Sequence, residues 1–371
     1  MTEALDRRFT AAAIALGASG LGTTWPNPAV GAILVKDGRV VGRGRTQRGG
    51  RPHAEVQALA MAGEGARGAT LYVSLEPCAH HGRTPPCADA IAAAGVARVV
   101  APIVDPDPRV CGKGFERLRS AGLDVATDVL ADAARRAHAG HVARVAETVP
   151  HIVLKLAVSA DDAIGRRGEG ATPVTGDIAR RHAQALRSRF DAILVGRGTV
   201  EADNPQLTCR LPGLEDRSPV RVVLDSDARL DRSLRVFDGA AQTWVFVALD
   251  ATDEPESGPA SGAGDASRSR RFKAPRSMLG GLDPWSVLYR LKHEGIRRVL
   301  VEGGAKVARM LLECDRVDEV LLFRSPVAMG GALVPALAGL SLATVEASPR
   351  FRLLERRRFG NDILSRYERT S

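Results

Sequence analysis

The chain of 371 residues is longer than one hydrophobic core usually supports, and its hydrophobic content of 44% is ample for two cores. It contains no uncharged apolar run of about 18 residues, so no membrane-spanning helix is expected. The net charge of +9 is spread over both halves and aromatic residues make up only 4% of the chain. These values weaken the case for a nucleic-acid partner. A phosphorylated small molecule explains the mild positive excess equally well, and so do ordinary solvated arginines.

The first residues, MTEALDRRFTAAAIALG, form an amphipathic, charged stretch without the pattern of a signal peptide, which predicts a cytoplasmic protein. Five cysteines are too few and too scattered for a disulfide framework. Cys78 and Cys87 lie close together in the sequence and are candidates for a metal or catalytic role. The others are expected to be ordinary buried thiols: Cys111, Cys209 and Cys314.

Residues 1–147 alternate between strand and helix patterns. Two strands flank an Asp-Gly turn in AVGAILVKDGRVVGRG, and a helical pattern follows in AEVQALAMAG. The later strand patterns are ATLYVSL, VARVVAPIV and LDVATDVL, and the later helical patterns are CADAIAAAG and GFERLRSAG. This alternation predicts a three-layer α/β/α domain.

A second α/β domain is predicted for residues 150–371, because Pro150 precedes a new apolar strand pattern and alternation then resumes. The stretch 250–276 is rich in Ser, Gly, Ala, Pro and charge and offers almost nothing to bury. It is therefore predicted to be a flexible surface insertion within this domain.

The first domain carries a set of metal-binding residue types. His53 and Glu55 form a His-x-Glu motif, and Cys78 follows a proline in EPCAHHGRTPPC, which ends at Cys87. One imidazole and two thiolates are the three protein ligands of a catalytic zinc site, which leaves a fourth position for water of lowered pKa. A carboxylate that does not bind the metal, here Glu55, then moves protons, as in the zinc deaminases.

Two features leave alternatives open. Eight residues separate the cysteines, whereas zinc deaminases commonly have two, although a longer loop can return to the metal. His80 or His81 could supply a fourth ligand and turn the site into a purely structural one, or either could contact substrate. Asn27, between two prolines, is interpreted as a hydrogen-bonding group for a heterocycle edge, with a turn-forming role as the alternative.

The motifs HAEVQAL, EPCAHHGRTPPC and DPDPRVCGKG, with FDAILVGRGTVEADNPQLTCR and VLVEGGAKV in the second half, resemble the bifunctional deaminase–reductase family of riboflavin biosynthesis. The likeness extends over nearly the whole chain except 250–276. It implies a cytidine-deaminase-like domain joined to a dihydrofolate-reductase-like domain. It also implies zinc-dependent loss of an amino group from a diamino-(phosphoribosylamino)pyrimidinone, followed by reduction of the ribosyl group by NADPH.

The resemblance also implies residue roles. His53, Cys78 and Cys87 would bind Zn²⁺, and Glu55 would be catalytic. The implied NADPH contacts are Ala157, Pro173, Thr199, Asp203, Ser226, Gly304 and Ala305. The implied substrate contacts are Asn27, Ala171, Arg187, Leu207, Arg210 and Glu302. The guanidinium groups of Arg187 and Arg210 suit a phosphate-bearing substrate.

The sequence departs from the family pattern at the start of the second domain. SADDAIG at 159–165 replaces a pattern close to S-L-D-G-K-I-A, and Ala171 and Pro173 stand where a serine and a tryptophan are common. One stacking residue and one polar substrate contact of the family pattern are therefore missing from this sequence. The resemblance further implies a homo-oligomer through the reductase domain. The competing functions are a nucleic-acid base deaminase with a degenerate second domain and a non-enzymatic zinc-stabilised module.

Overall fold

The computed structural model describes residues 3–146, 148–252, 268–278 and 280–370. The chain divides into two compact units, Met1–Thr148 and Val149–Ser371. Within the described ranges, no helix has both the length and the apolar character that crossing a bilayer requires.

Unit 1 is built on a five-stranded mixed sheet in the order β2-β1-β3-β4-β5. β1 pairs antiparallel with β2 and with β3, whereas β3, β4 and β5 are parallel. The strands are β1 (Gly31–Lys36), β2 (Arg39–Arg45), β3 (Thr70–Val73), β4 (Arg98–Val100) and β5 (Asp124–Ala126).

Helices cover both faces of this sheet. They are α1 (Glu3–Ala18), α2 (Ala54–Ala62), α3 (Cys87–Ala93), α4 (Lys113–Ser120), α5 (Ala131–Ala137) and α6 (Ala139–Val145). Because side chains alternate along a strand, Ile33 of β1 packs with Phe9 of α1, whereas Leu34 faces α2 and α3. The predicted three-layer α/β/α architecture is confirmed.

Unit 2 contains a nine-stranded sheet in the order β11-β10-β9-β8-β12-β6-β13-β16-β15, and β7 and β14 form a separate pair. Neighbouring strands are parallel from β11 to β13, and β16 and β15 extend the sheet antiparallel. The strands are β6 (His151–Val158), β7 (Ala163–Arg166), β8 (Ala192–Gly196), β9 (Val220–Leu224), β10 (Thr243–Ala248), β11 (Ser269–Ala274), β12 (Arg298–Glu302), β13 (Glu319–Arg324), β14 (Leu333–Pro335), β15 (Phe351–Phe359) and β16 (Asp362–Arg369).

Helices flank this sheet on both faces. They are α7 (Asp177–Arg187), α8 (Arg197–Asp203), α9 (Pro284–His293), α10 (Ala305–Glu313) and α11 (Ala343–Glu346). α9 and α10 pack in the largest core cluster, whereas α7 packs against alternate residues of β6, β12 and β13 on the opposite face. Residues that follow the parallel strands therefore meet at one edge, where α/β sheets bind ligands.

The prediction of a flexible insertion at 250–276 is wrong for its last part. Residues 269–274 form β11, which pairs in parallel with β10 and buries Phe272 and Ala274. Strand β10 satisfies the backbone hydrogen-bonding groups of β11. This pairing could not be predicted from the polar, arginine-rich sequence of the segment. Residues 253–267 lie outside the described residues.

Candidate active sites

Three elements bring the predicted metal ligands together in unit 1. His53 immediately precedes α2, Cys78 lies in the loop beyond β3, and Cys87 is the first residue of α3. The His53 Nδ1 atom lies 3.3 Å from Cys87 Sγ and 3.8 Å from Cys78 Sγ, and the three ligand atoms all lie within 4.8 Å of one another. The eight-residue loop thus returns to the same point.

These separations fit zinc. Tetrahedral zinc with ordinary Zn–N and Zn–S bonds holds its ligand atoms about 3.5–3.8 Å apart. No fourth His, Cys, Asp or Glu from the described part of the chain joins the group. A three-ligand donor set of this kind is typical of catalytic zinc and differs from the four-ligand structural site that was left open.

The sulfurs are electrostatically coupled. A hydrogen bond with Cys87 lowers the pKa of Cys78 to about 4, while the Cys78 sulfur raises the pKa of Cys87. The pair therefore holds one negative charge near neutral pH, and binding of a cation would release the remaining proton.

Glu55 stands beside this cluster on the first turn of α2 and is only 4% exposed. Burial and the neighbouring Cys78 sulfur raise the pKa of Glu55 to about 7. A carboxyl group that exchanges protons near neutrality is suited to general acid–base chemistry.

Asn27 and His80 also lie at this site. The Asn27 Nδ2 donates to Gly50 O at 2.8 Å and lies 3.2 Å from His53 Nε2, so the side chain braces the metal-ligand ring. His80 Nδ1 is buried and has no hydrogen-bond partner among the described residues, which leaves it able to meet a ligand. His81 is exposed.

The sequence analysis missed Glu76, which anchors the loop that carries Cys78. Its carboxylate is 3% exposed and accepts four backbone N–H groups. Oε2 accepts from Asp105 and Gly112 at 3.0 Å, and Oε1 accepts from Gly114 and Phe115 at 2.8 and 3.3 Å. The available signal was a glutamate between a strand and Pro-Cys, but its hydrogen-bond partners lie 29 to 39 residues further along the chain.

We expect Glu76→Gln to loosen this loop, because the amide nitrogen cannot accept the N–H groups that face it. Each N–H left without an acceptor costs about 1–3 kcal/mol. The free energy of unfolding of the full chain should fall, and zinc should be lost at a lower chelator concentration. Glu116→Gln, on the exposed face of α4, is the matched control and should change neither quantity. Unchanged stability and zinc retention in Glu76→Gln would show that the carboxylate does not hold the loop.

Unit 2 has a cleft of about 1860 Å³ at the carboxyl edge of its sheet. This volume exceeds the usual 300–1,000 Å³ of a single small-molecule pocket, which leaves room for a dinucleotide and a second ligand. The cleft is lined by most of the residues predicted for this half: Ala171, Pro173, Arg187, Thr199, Asp203, Leu207, Arg210, Ser226, Gly304 and Ala305. Ala157 and Glu302 are not among the lining residues.

The cleft is strongly basic. Ten Lys and Arg side chains line it against four Asp and Glu side chains. The basic side chains come from segments that are far apart in the sequence, so the sequence alone does not show that they cluster in one cleft. This field attracts anionic ligands such as phosphates.

The turn between β12 and α10 fits a dinucleotide backbone. Gly303 and Gly304 have φ of 94° and 81°, values that favour glycine. A Cβ on Gly304 would lie 3.3 Å from Thr199 Oγ1 and 3.5 Å from Gly196 N, so glycine keeps this space open. α10 starts here without a side-chain cap among the described residues, which suits its first N–H groups to bind phosphate oxygens.

Arg187 and Glu302 pair with each other. The Arg187 Nε and Nη2 atoms donate to the two Glu302 oxygens at 3.0 and 2.9 Å, and the side chains are 12% and 9% exposed. Burial alone would raise the pKa of Glu302, but Arg187 and Lys155 hold that pKa below its ordinary value. Glu302 does not line the cleft but positions the Arg187 guanidinium group, which does.

Lys155 is a residue that the sequence analysis overlooked. It lies opposite Glu302 in the β6–β12 register, and burial lowers the pKa of its ammonium group. A lysine inside an otherwise apolar strand, HIVLKLAV, was the available signal. Ala157, on the same strand, packs against the α7-side core instead.

The departures from the family pattern have local explanations. Asp162 occupies the usual glycine position with φ of 59°, a conformation that Asp tolerates better than most residues. Ala171 and Pro173 line the cleft but supply neither a hydroxyl group nor an aromatic ring. Leu207 is buried with φ of 56°, a strained conformation of the kind that clusters at ligand sites.

Comparison with known proteins matches each unit. Residues 4–103 match the family model described as the cytidine and deoxycytidylate deaminase zinc-binding region. Residues 150–365 match the RibD C-terminal domain. These two matches cover both the metal cluster and the cleft.

Full-length relatives agree. The riboflavin biosynthesis protein RibD of Escherichia coli is 38% identical over 370 residues, which cover 96% of this chain and 98% of the relative. The RibD of Aquifex aeolicus is 34% identical with full coverage of both chains.

A solved structure extends this agreement to three dimensions. A diaminohydroxyphosphoribosylaminopyrimidine deaminase/5-amino-6-(5-phosphoribosylamino)uracil reductase from Thermotoga maritima is 35% identical, with 99% of both chains covered and a TM-score of 0.83. The full-length relatives match this chain from end to end. Their two-domain organisation agrees with the two sites described above, the metal cluster beside a buried carboxylate in unit 1 and the basic cleft in unit 2. The chain belongs to the RibD family of riboflavin biosynthesis proteins, which joins a deaminase to a reductase.

Proposed function

We propose that unit 1 hydrolyses the 2-amino group of 2,5-diamino-6-(5-phosphoribosylamino)pyrimidin-4-one and that unit 2 reduces the resulting uracil derivative with NADPH. The observation that carries the proposal is the group of His53, Cys78 and Cys87 with the buried Glu55 beside it. The full-length relatives support a small-molecule pyrimidine substrate over a base within a nucleic acid.

In the first step, His53, Cys78 and Cys87 hold the metal. Zinc bound by these residues would supply a water of lowered pKa and a positive charge at the site. Glu55 accepts a proton from the attacking water, delivers a proton to the ring nitrogen and then assists the departing ammonia. Asn27 contacts the His53 ring on its Nε2 side.

In the second step, Arg187 and Arg210 bind the substrate phosphate at the wall of the cleft. The pairing with Glu302 and a third bond from Nη1 to Thr208 O fix the Arg187 guanidinium before substrate arrives. NADPH would supply the hydride, and the α10 start with Thr199 and Ser226 would bind the nucleotide. Pro173, Asp203 and Ala305 complete the proposed cofactor contacts, and Ala171 and Leu207 complete the substrate contacts. Ala157 packs against the α7-side core and is not assigned a cofactor contact.

The proposal includes a cytoplasmic location and a homo-oligomer that forms through residues 150–371. The carboxyl boundary of the deaminase domain falls at 147. The uracil derivative that unit 1 produces is the substrate that unit 2 reduces, so one chain carries out two consecutive steps.

The direct experiment is anaerobic incubation of the purified chain with the diamino substrate and NADPH, with ammonia and nicotinamide absorbance followed separately. We expect ammonia release first and NADPH oxidation after it. Ammonia without NADPH oxidation would show that the changes at Asp162, Ala171 and Pro173 have disabled the reductase. Absence of both signals would contradict the proposed function.

A further inference from the structure

Several charged side chains of the unit 2 cleft have no role in the steps above, and three of them contact one another: Arg197, Asp227 and Arg276. Arg197 is the first residue of α8, Asp227 follows β9, and Arg276 follows β11. The Arg197 Nη1 lies 3.0 Å from Asp227 Oδ2, and the Arg276 Nη2 lies 3.0 Å from Asp227 Oδ1. Two guanidinium groups, called the arginine pair below, therefore share one carboxylate.

The arginine pair remains accessible to a ligand. The Arg197, Asp227 and Arg276 side chains are 29%, 32% and 38% exposed, and all three line the cleft. Arg276 uses its Nε for Asp250 and its Nη2 for Asp227, so its Nη1 has no acceptor within the described part of the chain. Arg197 also lies 3.4 Å from Glu201 Oε1 and 3.5 Å from Asp225 Oδ1, so the donor available for an additional anion is chiefly the Arg276 Nη1.

The strand order fixes where this pair lies relative to the glycine turn. β12, β8 and β9 are consecutive parallel strands, so the ends of β12 and β9 lie two spacings, about 10 Å, apart. Gly304 follows β12, whereas Ser226 and Asp227 follow β9. This distance is short enough for a nucleotide whose pyrophosphate lies at the α10 start to reach Ser226 and the arginine pair within the same cleft.

We propose that Arg197 and Arg276 bind the 2′-phosphate of NADPH and thereby make the cleft select NADPH over NADH. This inference rests on the proposed reductase function. Guanidinium groups bind phosphate through paired, charge-assisted hydrogen bonds. Asp227 pairs with both guanidinium groups while the cofactor is absent, so the phosphate competes with this carboxylate for them. NADH lacks the 2′-phosphate, so the arginine pair does not strengthen its binding.

Arg276→Ala tests the inference by cofactor binding alone. The dissociation constants of NADPH and NADH are measured by nicotinamide fluorescence with the full chain and without pyrimidine substrate. We expect the NADPH constant to rise about tenfold to a hundredfold, because charge-assisted hydrogen bonds are lost, and the NADH constant to stay unchanged. Arg352→Ala removes the same charge from the exposed edge strand β15 and should change neither constant.

Asp227→Asn should have the opposite effect, because it removes a negative charge beside the bound phosphate while the amide still occupies the space. We expect tighter NADPH binding and unchanged NADH binding. Equal weakening of both cofactors in Arg276→Ala, or weaker NADPH binding in Asp227→Asn, would overturn the inference. A wild-type chain that selects NADPH but never oxidises it would contradict the proposed reductase function and leave the inference intact. A chain that binds neither cofactor would contradict both.

Discussion

Glu55→Gln should release ammonia about 10²–10⁴ times more slowly than the wild-type chain while it keeps its zinc. Glutamine has nearly the same shape as glutamate but cannot accept the proton of the attacking water. The three metal ligands are unchanged, so metal content measured by atomic absorption should be the same. Initial rates of ammonia release from the diamino substrate give the kinetic effect.

Two controls make this result specific. Glu64→Gln, an exposed position in the turn after α2, should deaminate at the wild-type rate. Glu55→Gln itself should still oxidise NADPH when it receives the already deaminated uracil derivative, because its cleft is intact. Near-full deamination by Glu55→Gln would refute the proton-transfer role.

Arg187→Met should abolish reduction and destabilise unit 2 by about 3–5 kcal/mol, because Glu302 is left buried without its partner. Denaturant unfolding measures the stability, and absorbance at the nicotinamide band measures the reduction. Deamination by unit 1 should continue.

The double variant Arg187→Met/Glu302→Leu separates these two effects. Replacing both members of a buried ion pair with apolar side chains is often neutral for stability. The double variant should therefore unfold closer to the wild-type midpoint than Arg187→Met does, although buried Lys155 also loses its Glu302 counter-charge, and it should still fail to reduce the substrate. Recovery of reduction along with stability would show that the pair is only a structural element.

The metal site could be predicted because its information is local. His53 and Glu55 are two residues apart, and Cys78 and Cys87 lie in one short stretch of unusual composition. The structure adds how the long loop closes: the Cys87 backbone N–H donates to Cys78 Sγ at 3.3 Å. Spacing alone could not show that eight residues return to the metal.

Features that depend on strand register or on distant loops could not be predicted from the sequence. The opposition of Lys155 and Glu302 arises from pairing between strands 147 positions apart. Glu76 depends on backbone groups at residues 105–115. β11 depends on its partner β10, because a parallel strand has no local turn signal that announces it.

X-ray absorption at the zinc K-edge of the purified chain tests the metal site most directly. We predict one zinc per chain with two sulfur ligands at about 2.3 Å, one imidazole nitrogen at about 2.0 Å and one light oxygen ligand. Four protein ligands in the first coordination sphere, or a purified chain that deaminates its substrate without zinc, would contradict the account.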